Sequence, residues 1–173
     1  MKTIKDLQNE LKLSDHQTKE VSTYINQLVI ELLGSLKEDT IANFEETIEA
    51  LKKIDNPILK LDAGNEALFQ LINKPTISVS QQEVVQHLKK LSGIAIIQTL
   101  FLKGKINNHY FDNSNEDNID AWLANLEEIR PKQVMIYSLD RETPQTELIK
   151  LTPQELEQIA IRVRNKGIQT SVF

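Results

Sequence analysis

The side chains able to do chemistry gather at three places in this 173-residue chain. In KLDAGNE, residues 60–66, Lys60 and Asp62 sit two apart. On an extended strand that spacing puts both on one face, and Gly64 permits a sharp turn after them. Asp62 then either bonds a ligand at a sheet's carboxyl edge or serves as a turn residue beside Asn65, a helix cap. IIQTLFLKGK, residues 96–105, holds one polar pair, Gln98-Thr99, in an apolar strand. A buried amide needs partners, so Gln98 faces a barrel interior, a ligand or a neighbouring strand. QVMIYSLDRETP, residues 133–144, ends a strand in Tyr137, Ser138, Asp140 and Arg141. Arg141 has the planar fork to grip a carboxylate or phosphate, or else it pairs with Asp140 at the surface.

Other chemistries are excluded by what the chain lacks. It has no cysteine. That removes disulfides, a thiol nucleophile, a thiolate zinc site and cysteine-ligated iron–sulfur chemistry. The three histidines, His16, His87 and His109, are far apart and flanked by no nucleophile motif. The acidic stretch from Asp112 to Asp117 lacks the glycine and terminal glutamate of a calcium loop. Lys103-Gly104-Lys105 is too short for a phosphate loop. A net charge of −5 argues against a nucleic-acid partner. No apolar run approaches the roughly 18–20 residues of a membrane span, and the amino terminus has no signal-peptide core. A cytoplasmic address is the expectation.

The elements that must position these residues can be read from periodicity. Helices are expected at 3–12, at 15–33 behind a Ser14–Gln17 capping box, and at about 38–54. Their stripes include Val21, Tyr24, Ile25, Leu28, Val29 and Leu32, then Ile41, Phe44, Ile48 and Leu51. From residue 58 strands and helices alternate. Strands are expected at 58–61, 94–101, 134–137 and 168–173. Helices are expected at 66–73, after Ser80, after Asp117 or Asn118, and after Thr152-Pro153. The segments 105–117 and 139–151 read as polar loops. Alternation of this kind makes parallel strands joined by right-handed crossovers, with ligand sites beyond the strands' carboxyl ends. The fold class expected is therefore α/β: residues 56–173 as about four parallel strands with flanking helices, after an all-helical segment, 1–55.

Five pieces, in order, resemble the carboxyl-terminal half of radical S-adenosylmethionine (radical SAM) proteins. They are KLDAGNE 60–66, LFQLINKP 68–75, IIQTLFLKGK 96–105, NSNEDNIDAWL 113–123 and QVMIYSLDRETP 133–144. The resemblance implies a partial (β/α) barrel and S-adenosylmethionine as the ligand. Carried over by resemblance, Lys60, Asp62, Gln98 and Tyr137 take the cofactor-binding positions. The family's [4Fe-4S] cluster needs three cysteines in a C-x-x-x-C-x-x-C loop, and this chain has none. The Gly-Glu-Pro-type motif of the family's second strand is also absent. The resemblance thus implies a truncated barrel without radical chemistry of its own, its missing half or another protein serving as partner. Two other readings stand beside it. One is a small α/β module that docks a partner through its amino-terminal helices. The other is a cluster-independent enzyme at the loops 102–117 and 139–152, for which no acid–base pair can be placed.

Overall fold

Apolar side chains recur on alternate positions of the strands and on one stripe of each helix, and this sorts the molecule into layers. The computed structural model describes residues 47–75, 78–106, 109–139 and 147–173. The helices expected at 3–12 and 15–33, the first part of 38–54, and the pair Asp140-Arg141 lie outside the described residues. Residues 47–51 are helical. In chain order there follow β1 (Ile58–Lys60), α1 (Glu66–Asn73), α2 (Gln81–Lys89), β2 (Ile96–Leu100), β3 (Leu102–Ile106) and β4 (His109–Asp112). Then come α3 (Glu116–Ile129), β5 (Gln133–Tyr137), β6 (Leu148–Lys150), α4 (Pro153–Asn165) and β7 (Thr170–Val172).

Four strands form a parallel sheet in the order β1-β2-β5-β7, as the alternation requires. Lys60, Gln98, Met135 and Ser171 stand side by side across it in register. The core lies on the opposite face. There Leu59, Leu61, Ile97, Phe101, Val134 and Ile136 meet Ile48 and Leu51 and the apolar stripes of α2, α3 and α4. Trp122 is fully buried among them and meets Phe101 edge-to-face, ring centroids 5.1 Å apart. Such pairing adds to the burial of two large rings. The expected stripe of Ile48 and Leu51 is core.

The helix boundaries follow local chemistry. Ser80 and Thr152 each close a capping box, with Glu83 and Glu155 reaching back to the cap's own N–H. Asn65 caps α1. Helix α3 differs from expectation: its cap is Asn115, whose side chain accepts from the Asn118 N–H, not Asp117 or Asn118. The shift frees Asn118 for another task. Lys74 and Arg130 end α1 and α3 in left-handed backbone geometry, each just before a proline. A proline disfavours right-handed helix in its predecessor, so the chain turns the other way.

Two expectations fail, the first in the segments read as loops. Residues 102–106, 109–112 and 148–150 pair as an antiparallel sheet in the order β4-β3-β6. It sits over Leu102 and Phe111, which pack with Leu68, Leu71, Ile72, Leu100, Leu139 and Leu148 in a second apolar cluster. The lysines of β3 alternate with Leu102 and Gly104, a two-residue period that was hidden by the Lys-Gly-Lys composition. Gly104 is required there: at φ +146 its missing Cβ would lie 2.2 Å from the Glu147 carbonyl oxygen. The second concerns β5, whose run Val134 to Tyr137 reads in the sequence as a buried strand like 94–101. Val134 and Ile136 are buried, whereas Gln133, Met135 and Tyr137 are half-buried. Only β2, the more apolar of the two central strands, is buried on both. Among the described residues no helix is long and apolar enough to cross a membrane.

Candidate functional site

Lys60 ends β1 and Asp62 follows it on the same face, as their spacing demands. Leu61, between them, points into the core. Asp62 is fastened rather than free. Its Oδ1 accepts the Leu100 backbone N–H at 2.8 Å, and its Oδ2 lies 3.4 Å from the Asn73 amide nitrogen that donates to it. The Lys60 ammonium stands 3.2 Å from Asp62 Oδ1. It also donates to the Tyr137 hydroxyl oxygen at 2.5 Å and lies 4.9 Å from that ring's centroid. Three expected site residues, from the first and third strands of the sheet, thus form one cluster.

The electrostatics of the cluster are set by burial and by this pairing. Burial alone would pull Lys60 down. The Asp62 carboxylate, then the Tyr137 oxygen, outweigh it and hold Lys60 above the ordinary lysine value. Burial pushes the Tyr137 phenol up, and Asp62 adds to that against the opposing pull of Lys60. At neutral pH the site therefore holds an ammonium and an un-ionised phenol. The phenol's own proton has no acceptor among the described residues.

Gln98, the fourth expected residue, stands next to Lys60 in the register. It is 9% exposed, and its side-chain amide makes no hydrogen bond among the described residues. Its backbone carbonyl accepts from the Leu61 N–H. Among the described residues its side chain makes no strand-to-strand bond. Its neighbour Thr99 is structural, its hydroxyl donating to the Leu61 carbonyl at 2.9 Å. Ser138 is structural too: it donates to the Phe101 carbonyl and accepts from the Leu151 N–H.

What holds the cluster in place was not read from the residues. Asn113, fully buried, donates to the carbonyls of Asp62 and Leu100 and accepts from the Leu102 N–H. Asn118, fully buried, accepts from the Gly64 N–H at 2.7 Å and donates to the Asn113 carbonyl at 2.6 Å. Asn125 donates to the Gly64 carbonyl, and the Trp122 indole donates to the Leu61 carbonyl. These bonds clamp the loop 61–65 onto α3. Gly64 is needed for that closeness: a Cβ there would lie 2.4 Å from the Asn118 oxygen and the Trp122 nitrogen. The clue in the chain was three asparagines at 113, 115 and 118 around a helix start, more than one cap requires. Asn73 was missed as well. Its Oδ1 is buried without a partner among the described residues, beside the Asp62 carboxylate.

The residues present do not fit an iron–sulfur cluster. The chain has no cysteine, and among the described residues no three His, Asp or Glu side chains converge as metal ligands. They do fit a polar organic ligand. Lys60 and Tyr137 present donors, and Gln98 has an amide unused among the described residues, at the carboxyl ends of parallel strands, where such sheets bind ligands.

No sequence-family model and no curated protein sequence matches the chain. Solved structures do. A domain of pyruvate-formate lyase-activating enzyme from Bacteroides vulgatus superposes with TM-score 0.57 at 10% identity, over 75% of this chain and 74% of that one. A radical SAM methyltransferase from Sphaerobacter thermophilus superposes with TM-score 0.55 at 13% identity, over 75% of this chain and 37% of that one. The chain thus spans little more than a third of the methyltransferase. It shares the α/β fold of these two proteins, with a four-stranded parallel sheet as in a partial barrel.

Proposed function

We propose that this chain is a radical-SAM-like partial barrel that binds S-adenosylmethionine, or its adenosyl portion, without driving radical chemistry of its own. One observation carries the reading. Tyr137, 77 residues from Lys60 in the chain, closes on the Lys60–Asp62 pair in one cluster, beside Gln98, whose amide makes no hydrogen bond among the described residues, on the sheet face opposite the core.

Lys60 and Tyr137 would donate to the ligand's carboxylate or ribose oxygens, and Gln98 would bond a polar edge of the base or ribose. Asp62 sets the charge balance: beside it the Lys60 ammonium repels the ligand's sulfonium less. When bound, S-adenosylmethionine brings a sulfonium whose carbon–sulfur bonds are open to attack or reduction. Without cysteine the chain has no thiolate to ligate a cluster that would deliver an electron, and Lys60, held as an ammonium, has no lone pair to receive a methyl group. Its residues bind and orient.

Two experiments test the reading. Titration calorimetry with S-adenosylmethionine and with adenosine should give heat at micromolar ligand. Asp62→Ala and Tyr137→Phe should each weaken binding about tenfold, the worth of one hydrogen bond to a charged or buried group. No heat from either ligand at high micromolar concentration sinks the binding claim. Anaerobic iron–sulfide reconstitution should leave no cluster absorbance, and a robust [4Fe-4S] spectrum would overturn the non-redox claim.

A further inference from the structure

The cluster of Lys60, Asp62 and Tyr137 is polar in one direction. The Asp62 carboxylate is turned to the protein: Oδ1 accepts the Leu100 N–H and Oδ2 the Asn73 amide. Its side chain is 6% exposed against 16% for Lys60, so the ammonium is the pole of the pair nearer an incoming ligand. Burial does not strip that charge, because Asp62 and Tyr137 hold the lysine above its ordinary value. Among the described residues Asp62 is the one buried carboxylate, so no second one balances the ammonium.

Donors are also in excess. An ammonium has three N–H groups. Those of Lys60 have two acceptors beside them among the described residues, the Tyr137 oxygen at 2.5 Å and Asp62 Oδ1 at 3.2 Å. One N–H and the phenol proton are left for a ligand's acceptors. Gln98, next to Lys60 in the register, is neutral and can turn either end of its amide to a ligand. Such a site suits anionic and neutral oxygens and disfavours a positive charge beside it.

We infer that Lys60 makes this site selective by charge, taking an adenosyl ligand with a carboxylate and an uncharged sulfur in preference to the sulfonium. The favoured class is thus the thioether, S-adenosylhomocysteine, over S-adenosylmethionine. This selectivity rests on the reading of the cluster as the adenosyl-ligand site. The two ligands share carboxylate, ribose and base, and differ by one methyl group and one positive charge. Lys60 draws the carboxylate of both alike and repels only the sulfonium. Alone, an ammonium about 6 Å from the sulfonium would disfavour it about a hundredfold; Asp62 offsets part of this and leaves about tenfold.

Titration calorimetry on the full chain tests this. S-adenosylhomocysteine should bind about tenfold more tightly than S-adenosylmethionine at neutral pH. Lys60→Met with Asp62→Asn removes both charges and keeps an oxygen for the Leu100 N–H. There the two affinities should come to within about twofold of each other. Tyr137→Phe keeps both charges, so it should weaken both ligands and preserve their ratio. Equal affinities in the parent, or tighter binding of S-adenosylmethionine, overturn the selectivity and leave the ligand site standing. A preference that survives loss of both charges overturns it too, since the methyl group would then set it. No heat from either ligand at high micromolar concentration removes the ligand site, and the selectivity falls with it. Should the doubly neutral variant fail to fold, judged by Trp122 emission, sinefungin decides in the parent. It carries a protonated amine where S-adenosylmethionine carries its methyl sulfonium. It should bind about as weakly as S-adenosylmethionine, and binding as tight as that of the thioether overturns the proposal.

Discussion

Asp62 illustrates how little of a residue's role its type reveals. Its carboxylate is held by a backbone N–H of the next strand and its carbonyl by Asn113, so both ends of the residue are spoken for. The loop that carries it depends on Gly64. Gly64→Ala would drive a methyl group into the α3 backbone, which cannot yield as a side chain would. We expect a loss of about 2 kcal/mol or more in urea unfolding, where an ordinary surface alanine costs almost nothing. Lys60 and Tyr137 make a second prediction, in pH. Both are raised above their ordinary values of 10.5 and 10.0 in the folded state. The folded form thus holds these protons more tightly than the unfolded one. Their contribution is complete below about pH 10 and is lost as pH rises through the folded values. Stability measured from pH 8 to 11 should fall at the alkaline end, and the fall should be shallower in Lys60→Met with Tyr137→Phe.

At the scale of elements, caps and turns decide where helices begin. Thr152 accepts from the Glu155 N–H while Glu155 accepts from the Thr152 N–H and hydroxyl. Those bonds, with Lys103 beside it, push Glu155 down to about 2. Lys103 belongs to β3, so this cap also ties the antiparallel sheet to α4. Thr152→Ala should cost about 1 kcal/mol in chemical denaturation. Because the folded Glu155 value lies below the ordinary one, its contribution is present above about pH 4.5 and lost as pH falls toward 2. Glu155→Gln should flatten that acid limb. Both capping boxes were legible, because each is a local pattern of four residues. The antiparallel sheet was not. Its three strands pair across residues 102 to 150, and strand pairing over such distances leaves no local trace when the strands are short and rich in lysine and glycine.

For the whole molecule, one core governs stability. Phe101 and Trp122 sit at its centre, contributed by the residue between β2 and β3 and by α3. Phe101→Ala should lower stability by about 3–5 kcal/mol at an unchanged denaturant slope, read from Trp122 emission. The chain by itself determined the alternation of strands and helices, the parallel sheet, the capped helix starts and the shared face of Lys60 and Asp62. All of these follow from periodicity and spacing within about a dozen residues. It also carried the motif order behind the radical SAM resemblance, which the solved structures bear out at the level of fold. Only the tertiary structure decided that Tyr137 closes on Lys60, and that Asn113 and Asn118 are buried clamps rather than loop polarity. It alone raised an antiparallel sheet over the strand ends. Those outcomes depend on strands meeting in register from segments far apart in the chain, Lys60 and Tyr137 by 77 residues, and a buried amide acquires its partners only after that register is set.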